Sequence, residues 1–259
     1  MSYSGPTMRS HVMSLLVMVG LMLLTGCGRT APSGDQVVAG PAAEQEVVVL
    51  VHGLARSRLS MLPLEWSLES AGYRVLNYGY SSLSGTVPEH GADFARFLEE
   101  EVPAGARVHF VGHSMGNLLI RWALTREPRE EAGRVVMLAP PNNGSGSADR
   151  WLPYLSWIVQ PLEDLTTEPE STARSIPPVD GVGIGVIAGA WDGKVSPEES
   201  WLPEARDHTF VCATHTFLMM REDVRTLTLR FLRDGQFEGK SLADDVRPLR
   251  SPEACGTFL

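Results

Sequence analysis

A serine hydroxyl attacks a carbonyl efficiently only when a base takes its proton and a carboxylate holds that base in place. The chain carries these three residue types in a workable order. Ser114 lies in Gly112-His113-Ser114-Met115-Gly116, Asp192 in Gly189-Ala190-Trp191-Asp192-Gly193-Lys194-Val195, and His215 in Ala213-Thr214-His215-Thr216. The first segment has the G-x-S-x-G pattern, in which small residues on either side of the serine let the backbone turn sharply from strand to helix. Such a turn exposes the hydroxyl, and the helix start offers N–H groups to any negative charge that develops beside it. The spacing therefore points to acyl transfer through Ser114.

Each role has a rival. His208, next to Asp207, is a second candidate base, but it falls at the start of a strand-like run, whereas His215 follows the end of one. Asp164 and Asp180 are alternative carboxylates, and Asp192 is preferred because its loop follows a strand directly. His52 and His113 read as histidines that bond neighbouring loops, and His109 as a strand residue packed against a helix.

These residues need elements to carry them, and from Glu46 the chain alternates accordingly. Val47–Val51 is an unbroken apolar run, residues 60–71 have helical character, and Tyr73–Tyr80 is strand-like. Phe94, Phe97 and Leu98 mark one face of a helix ending near Glu101, and Arg107–Val111 predicts the strand before Ser114. A helix over Met115–Leu124 and a strand over Val135–Leu138 follow. Val182–Ile187 and Thr209–Ala213 predict two more strands, and a last helix is expected from Leu218 to Arg233 with Gly235 as its stop. Continuous apolar strands between helices imply an α/β fold with a predominantly parallel sheet covered on both faces. Ser114, Asp192 and His215 then all fall at the carboxyl ends of strands, the edge where open α/β sheets hold ligands.

The stretch 141–180 breaks this rhythm and reads as a short cap-like insert. Its run Trp151–Val159 fits either a helix packed on the core or a wall for an acyl chain, since both need the same residues. Asn142, Asn143 and the serines after Pro141 are candidates to line the same cleft. Residues 236–259 lack a clear period and are expected to lie as a tail on the surface.

Composition narrows the field. With 22 Lys+Arg against 31 Asp+Glu the net charge is -9, so no basic footprint for nucleic acid is expected. Cys27, Cys212 and Cys255 lie too far apart for a zinc-ligand spacing, and neither metal nor cofactor is implied. Pairing of Cys212 with Cys255 would staple the tail to the domain; a free Cys212 buried in its apolar run is the alternative. Oligomeric state is not legible.

Residues 1–26 have the three-part plan of an export signal: a basic start without acids, the apolar run Val12–Leu24, then small residues. As a helix that run would reach about 20 Å, short of the roughly 30 Å hydrocarbon core. Leu24-Thr25-Gly26-Cys27 resembles the lipobox of bacterial lipoproteins, which implies cleavage before Cys27, lipidation of Cys27, and attachment to a membrane of the cell envelope. An ordinary secretory signal is the alternative. Gly28 after the Cys resembles the form sorted to the outer membrane in Gram-negative cells. Residues 27–46 then read as the lipidated Cys and a flexible tether.

Over residues 47–235 the motifs resemble the α/β-hydrolase superfamily, in particular its small bacterial lipases and esterases. That resemblance implies a minimal α/β-hydrolase fold with Ser114 as nucleophile, Asp192 as acid and His215 as base. His52-Gly53-Leu54 looks like the family's oxyanion loop, so the Leu54 and Met115 N–H groups would hold the oxyanion, with His52, Gly53, Gly112 and Gly116 supporting the two loops. The implied substrate is a small-molecule or lipid ester, hydrolysed without a cofactor. Acyl transfer or thioester hydrolysis by the same residues is the alternative within enzymes, and a non-catalytic envelope lipoprotein the alternative outside them.

Overall fold

A computed structural model of the protein describes residues 46–238 and 248–257. The expected export signal, Cys27, nearly all of the tether and residues 239–247 lie outside the described residues.

β-branched and leucine residues at every position suit strands covered on both faces. β1 (Val47–Val51) is of this kind, and both it and β3 (Val108–His113), which mixes Val108, Phe110 and Val111 with His109, Gly112 and His113, are buried along their whole length. With β2 (Arg74–Tyr78), β4 (Ala132–Leu138), β5 (Gly183–Gly189) and β6 (Asp207–Val211) they form one six-stranded sheet in the order β2-β1-β3-β4-β5-β6. Every pairing is parallel.

The period-2 alternation of strand side chains divides the core in two. Val47, Val49 and Val51 point to one face, where α2 (Val87–Glu101) and α3 (Gly116–Arg126) pack with Phe94, Leu98, Leu118 and Leu119. Val48 and Leu50 point to the other, against Leu64 and Leu68 of α1 (Leu62–Ser70) and Val224, Leu227 and Phe231 of α6 (Glu222–Asp234). α2 begins with a capping box: Thr86 accepts from the Glu89 N–H, and the Glu89 side chain accepts from the Thr86 N–H. α6 ends where Gly235 takes a left-handed conformation (φ 73°), the stop expected from sequence.

The stretch 141–180 contains α4 (Gly146–Leu155), a 3-10 turn over Gln160–Leu165 and the single-turn α5 (Thr172–Ser175). It is tied down by its polar groups. Asp149 accepts from the Thr167 N–H at 2.9 Å, Asp164 accepts from the Val87 N–H at 2.7 Å, and the Gln160 N–H donates to the Leu83 carbonyl at 3.0 Å. Arg121, buried on α3, donates to the Ile176 carbonyl at 2.9 Å and to Asn142 Oδ1 at 3.2 Å.

Several boundaries differ from the sequence reading, for physical reasons. The strand expected over Tyr73–Tyr80 is Arg74–Tyr78, because β1 offers only five pairing positions. β6 pairs with β5 from Asp207 to Val211, and Ala213 leaves the ladder to accept from the Trp191 N–H at 3.2 Å. The last helix does not run from Leu218. His215–Met220 is a 3-10 turn, Arg221 is extended, and α6 starts at Glu222, a break invisible to periodicity because both helix types bury the same apolar residues. His109 finds its partners on strands: its Nδ1 accepts from the Arg134 N–H of β4 at 2.9 Å, where the β3-β4 register shifts.

The described part of the tail is stitched to the domain rather than laid on it. Leu249 accepts from the Phe210 N–H at 3.0 Å beside the free edge of β6, Phe237 is buried, and Cys255 forms a disulfide with Cys212, with Cα atoms 5.4 Å apart.

Candidate active site

Because all strands are parallel, the loops after β1, β3, β4, β5 and β6 gather at one edge. Among the described residues, three non-glycine residues have left-handed φ, and all three lie there: Ala55 (53°) after β1, Ser114 (53°) after β3 and Ala139 (44°) after β4. Such conformations cost about 1–3 kcal/mol each and persist only where surrounding contacts enforce them.

At Ser114 those contacts are explicit. Its N–H donates to the Leu138 carbonyl at 2.9 Å, while Asn117 donates from its side chain to the Ser114 carbonyl at 3.0 Å and to the Leu138 carbonyl at 3.2 Å. The turn also needs its glycines for space. A Cβ on Gly116 would stand 2.4 Å from the Val51 carbonyl oxygen, and one on Gly112 would stand 2.3 Å from Asn117 Oδ1. A Cβ on Gly53 would stand 2.8 Å from the Ser114 Cβ, so this glycine lets the β1 loop close against the elbow.

The structure brings Ser114, His215 and Asp192 together. His215 Nδ1 lies 2.7 Å from Asp192 Oδ2, and its Nε2 lies 2.9 Å from Ser114 Oγ. Asp192 Oδ1 accepts from the backbone N–H groups of Lys194 (2.8 Å) and Val195 (2.9 Å), which leaves Oδ2 for the histidine. A carboxylate there can only accept, so Nδ1 of His215 donates and Nε2 is free to accept from the serine hydroxyl. Ser114 and His215 are buried at the floor of an opening, and the Asp192 side chain is sealed from solvent.

The other histidines have structural partners. His113 Nε2 donates to the His215 carbonyl at 3.0 Å, fixing His215 from behind. Burial, helped by the neighbouring His215, Arg56 and Lys194, holds the His113 pKa well below the usual range, so this ring is neutral. His52 stacks on Tyr80 at 4.3 Å, donates from Nδ1 to the Gly53 carbonyl at 3.0 Å, and has its pKa lowered, chiefly by burial. Both act on loop shape, as expected.

The rivals lie elsewhere. His208 Nε2 accepts from the Leu202 N–H at 3.2 Å and stacks on Trp201 at 4.1 Å. Asp207 accepts from the Phe237 N–H at 2.7 Å and from Arg250, holding the tail. Asp164 bonds Val87 and Thr172, and Asp180 is exposed.

Above Ser114 lies a cleft of about 320 Å³ whose walls include Leu54, Ala148, Trp151, Leu155, Leu162 and Leu165. Trp151 and Leu155 thus form a wall, while Leu152, Leu155 and Val159 pack on the core and Trp151 (50%), Tyr154 (68%) and Trp157 (80%) stay exposed, so the run meets both expectations. Asn142 and Asn143 do not line the cleft as expected. They donate to the carbonyls of Ser200 (3.0 Å) and Trp201 (2.7 Å), spending their amides on loop closure, and of this stretch Ser145 and Ser147 reach the cleft. Sequence reading missed Asn117 and Arg121, whose polar side chains in an apolar helix were the available signal.

The sheet, the elbow and the assembled side chains are those of a known fold family. Residues 48–251 match the alpha/beta hydrolase family, and the chain belongs to it. Among solved structures it is similar to the mature lipase BlEst2 of Bacillus licheniformis, at TM-score 0.53 and 20% identity over 66% of this chain and 84% of that one. A metagenomic carboxyl esterase gives TM-score 0.55 and 19% identity over 75% and 71%. A bromoperoxidase from Bacillus anthracis gives 0.54 and 17% over 73% and 92%. At such identities the likeness is one of fold. Searched against curated proteins, the sequence has no match.

Proposed function

We propose that the protein hydrolyses carboxylic esters through an acyl-enzyme on Ser114. The observation that carries this reading is the unbroken path from Ser114 Oγ through His215 to Asp192 beneath an apolar cleft. His215 Nε2 takes the hydroxyl proton as Oγ attacks the carbonyl, Asp192 stabilises the imidazolium, and the same proton passes to the leaving alcohol. Water, deprotonated by His215, then releases the acid. The Leu54 and Met115 N–H groups are our oxyanion donors. Among the described residues neither is taken up by a hydrogen bond within the protein, and each such donor is worth roughly 3–4 kcal/mol in serine hydrolases.

A fluorophosphonate probe should label Ser114 in the wild type and not in Ser114→Ala. His215→Ala should lower ester turnover by several powers of ten, because base and nucleophile act as a unit. His208→Ala should change it less than about tenfold, given its place away from the reacting atoms. Absence of labelling in folded protein, or a larger loss from the His208 change, would overturn the assignment.

The site also works at a membrane if Cys27 is lipidated, and we propose that it is. The support is the sequence pattern of residues 1–27 and the exposed aromatic wall beside the cleft. Cys27→Ser should move the expressed protein from the membrane fraction to the soluble fraction; retention on membranes would refute acylation at this residue.

A further inference from the structure

The cleft above Ser114 has a charge signature that simple ester hydrolysis does not require. Two full charges line it, Arg56 and Lys194, both positive, and no carboxylate lines it. This runs against the acidic balance of the chain, whose net charge is -9. Among the described residues neither cationic side chain makes an ion pair or a hydrogen bond.

The nearby acids are engaged elsewhere. Asp192 is bonded to His215 and to two backbone N–H groups. Glu199 accepts from the N–H groups of Gly146 and Ser196, each at 2.7 Å. Asp149 is bonded to Thr167, and Asp164 to Val87 and Thr172.

Position makes the two cations a pair about the reacting atoms. Arg56 follows Leu54 on the loop after β1, and Lys194 follows Asp192 on the loop after β5, so they arrive from opposite sides of β3 and Ser114. Both charges reach His113 beneath the serine, where they oppose its protonation. Depth separates them from the inner apolar lining, while Leu83 and Trp151 share the exposed rim with them. Ala148, Leu162 and Leu165 are buried, whereas Arg56 is half-buried and Lys194 exposed. An acyl chain therefore enters the apolar depth while the alcohol half of the ester stays at the charged mouth.

Building on the ester-hydrolase reading, we infer that the preferred substrates join an apolar acyl chain to an alcohol bearing a phosphate group near the ester bond. Phosphate oxygens can meet a guanidinium fork or an ammonium point charge. The unpaired cations also attract such a substrate during encounter, an effect that salt weakens.

The test compares a 1-acylglycerol 3-phosphate with the 1-acylglycerol of the same chain length, both held below micelle formation. At low salt the wild type should favour the phosphorylated ester by about tenfold or more in kcat/KM, the scale of one charge-assisted contact. That ratio should fall toward one in Arg56→Gln/Lys194→Gln, and in the wild type at about 0.5 M salt. Arg56→Lys/Lys194→Arg, which keeps the charges, should retain most of it. As a readout independent of turnover, decyl phosphate should protect Ser114 from the fluorophosphonate probe at lower concentration than decanol. A labelled, active enzyme with a ratio of one or below overturns the inference and leaves the hydrolase reading intact, as does a ratio unmoved by both salt and the double substitution. Failure of Ser114 to label overturns the parent reading instead.

Discussion

At Asp192 the two carboxylate oxygens have different work. Oδ1 is held by two backbone donors and Oδ2 by His215, so the side chain has one orientation and the histidine one tautomer. Asp192→Asn breaks this in either rotamer, because the amide group must face either the two N–H donors or His215 Nδ1–H. Ester turnover should fall by about 10⁴-fold, as in other serine hydrolases whose orienting carboxylate becomes an amide. A kcat within about tenfold of wild type would show that this carboxylate does not orient the base.

Among elements, the decisive contact is the start of α3 against the end of β1. Gly116 brings the helix within reach of Val51 and His52, whose carbonyl oxygens would stand 2.4 and 2.6 Å from an added Cβ. These are backbone atoms, so a side chain there cannot be absorbed by a rotamer change. Gly116→Ala should cost about 1–3 kcal/mol or more, read as a lower urea midpoint, and should reduce turnover as the elbow shifts. Gly193→Ala is the control: a Cβ there meets nothing within 4 Å, and stability should change by less than about 0.5 kcal/mol.

At the scale of the molecule, the sheet would end in an open β6 edge were it not for the returning C-terminal segment. Leu249 bonds Phe210, Arg250 pairs with Asp207, and Cys255 closes a loop of 43 residues onto Cys212. Trp191 donates to the Gly256 carbonyl at 3.1 Å, so the same segment supports the loop that carries Asp192. Closing a loop of that length removes denatured-state entropy worth up to about 4 kcal/mol. Cys255→Ser, or reduction of the wild type, should lower the unfolding free energy by up to that amount, read as a lower urea midpoint with an equal or larger m-value because the freed denatured chain exposes more surface. An unchanged midpoint would mean that the crosslink adds nothing to stability.

Sequence alone determined the strand-helix alternation, the parallel sheet and the order Ser114, Asp192, His215, because strands buried on both faces and a glycine-flanked serine are local patterns that a single chain displays. It also ranked His215 above His208 by position relative to a strand end. Only the tertiary structure decided which groups meet. The end of β6 is set by pairing with β5, the break at Arg221 by packing that both helix types satisfy, and the fates of Asn142 and Asn143 by carbonyls more than fifty residues away. The two cations over Ser114 belong to the same category. Arg56 and Lys194 are unremarkable in sequence and become a pair only because parallel strands deliver the loops after β1 and β5 to one edge.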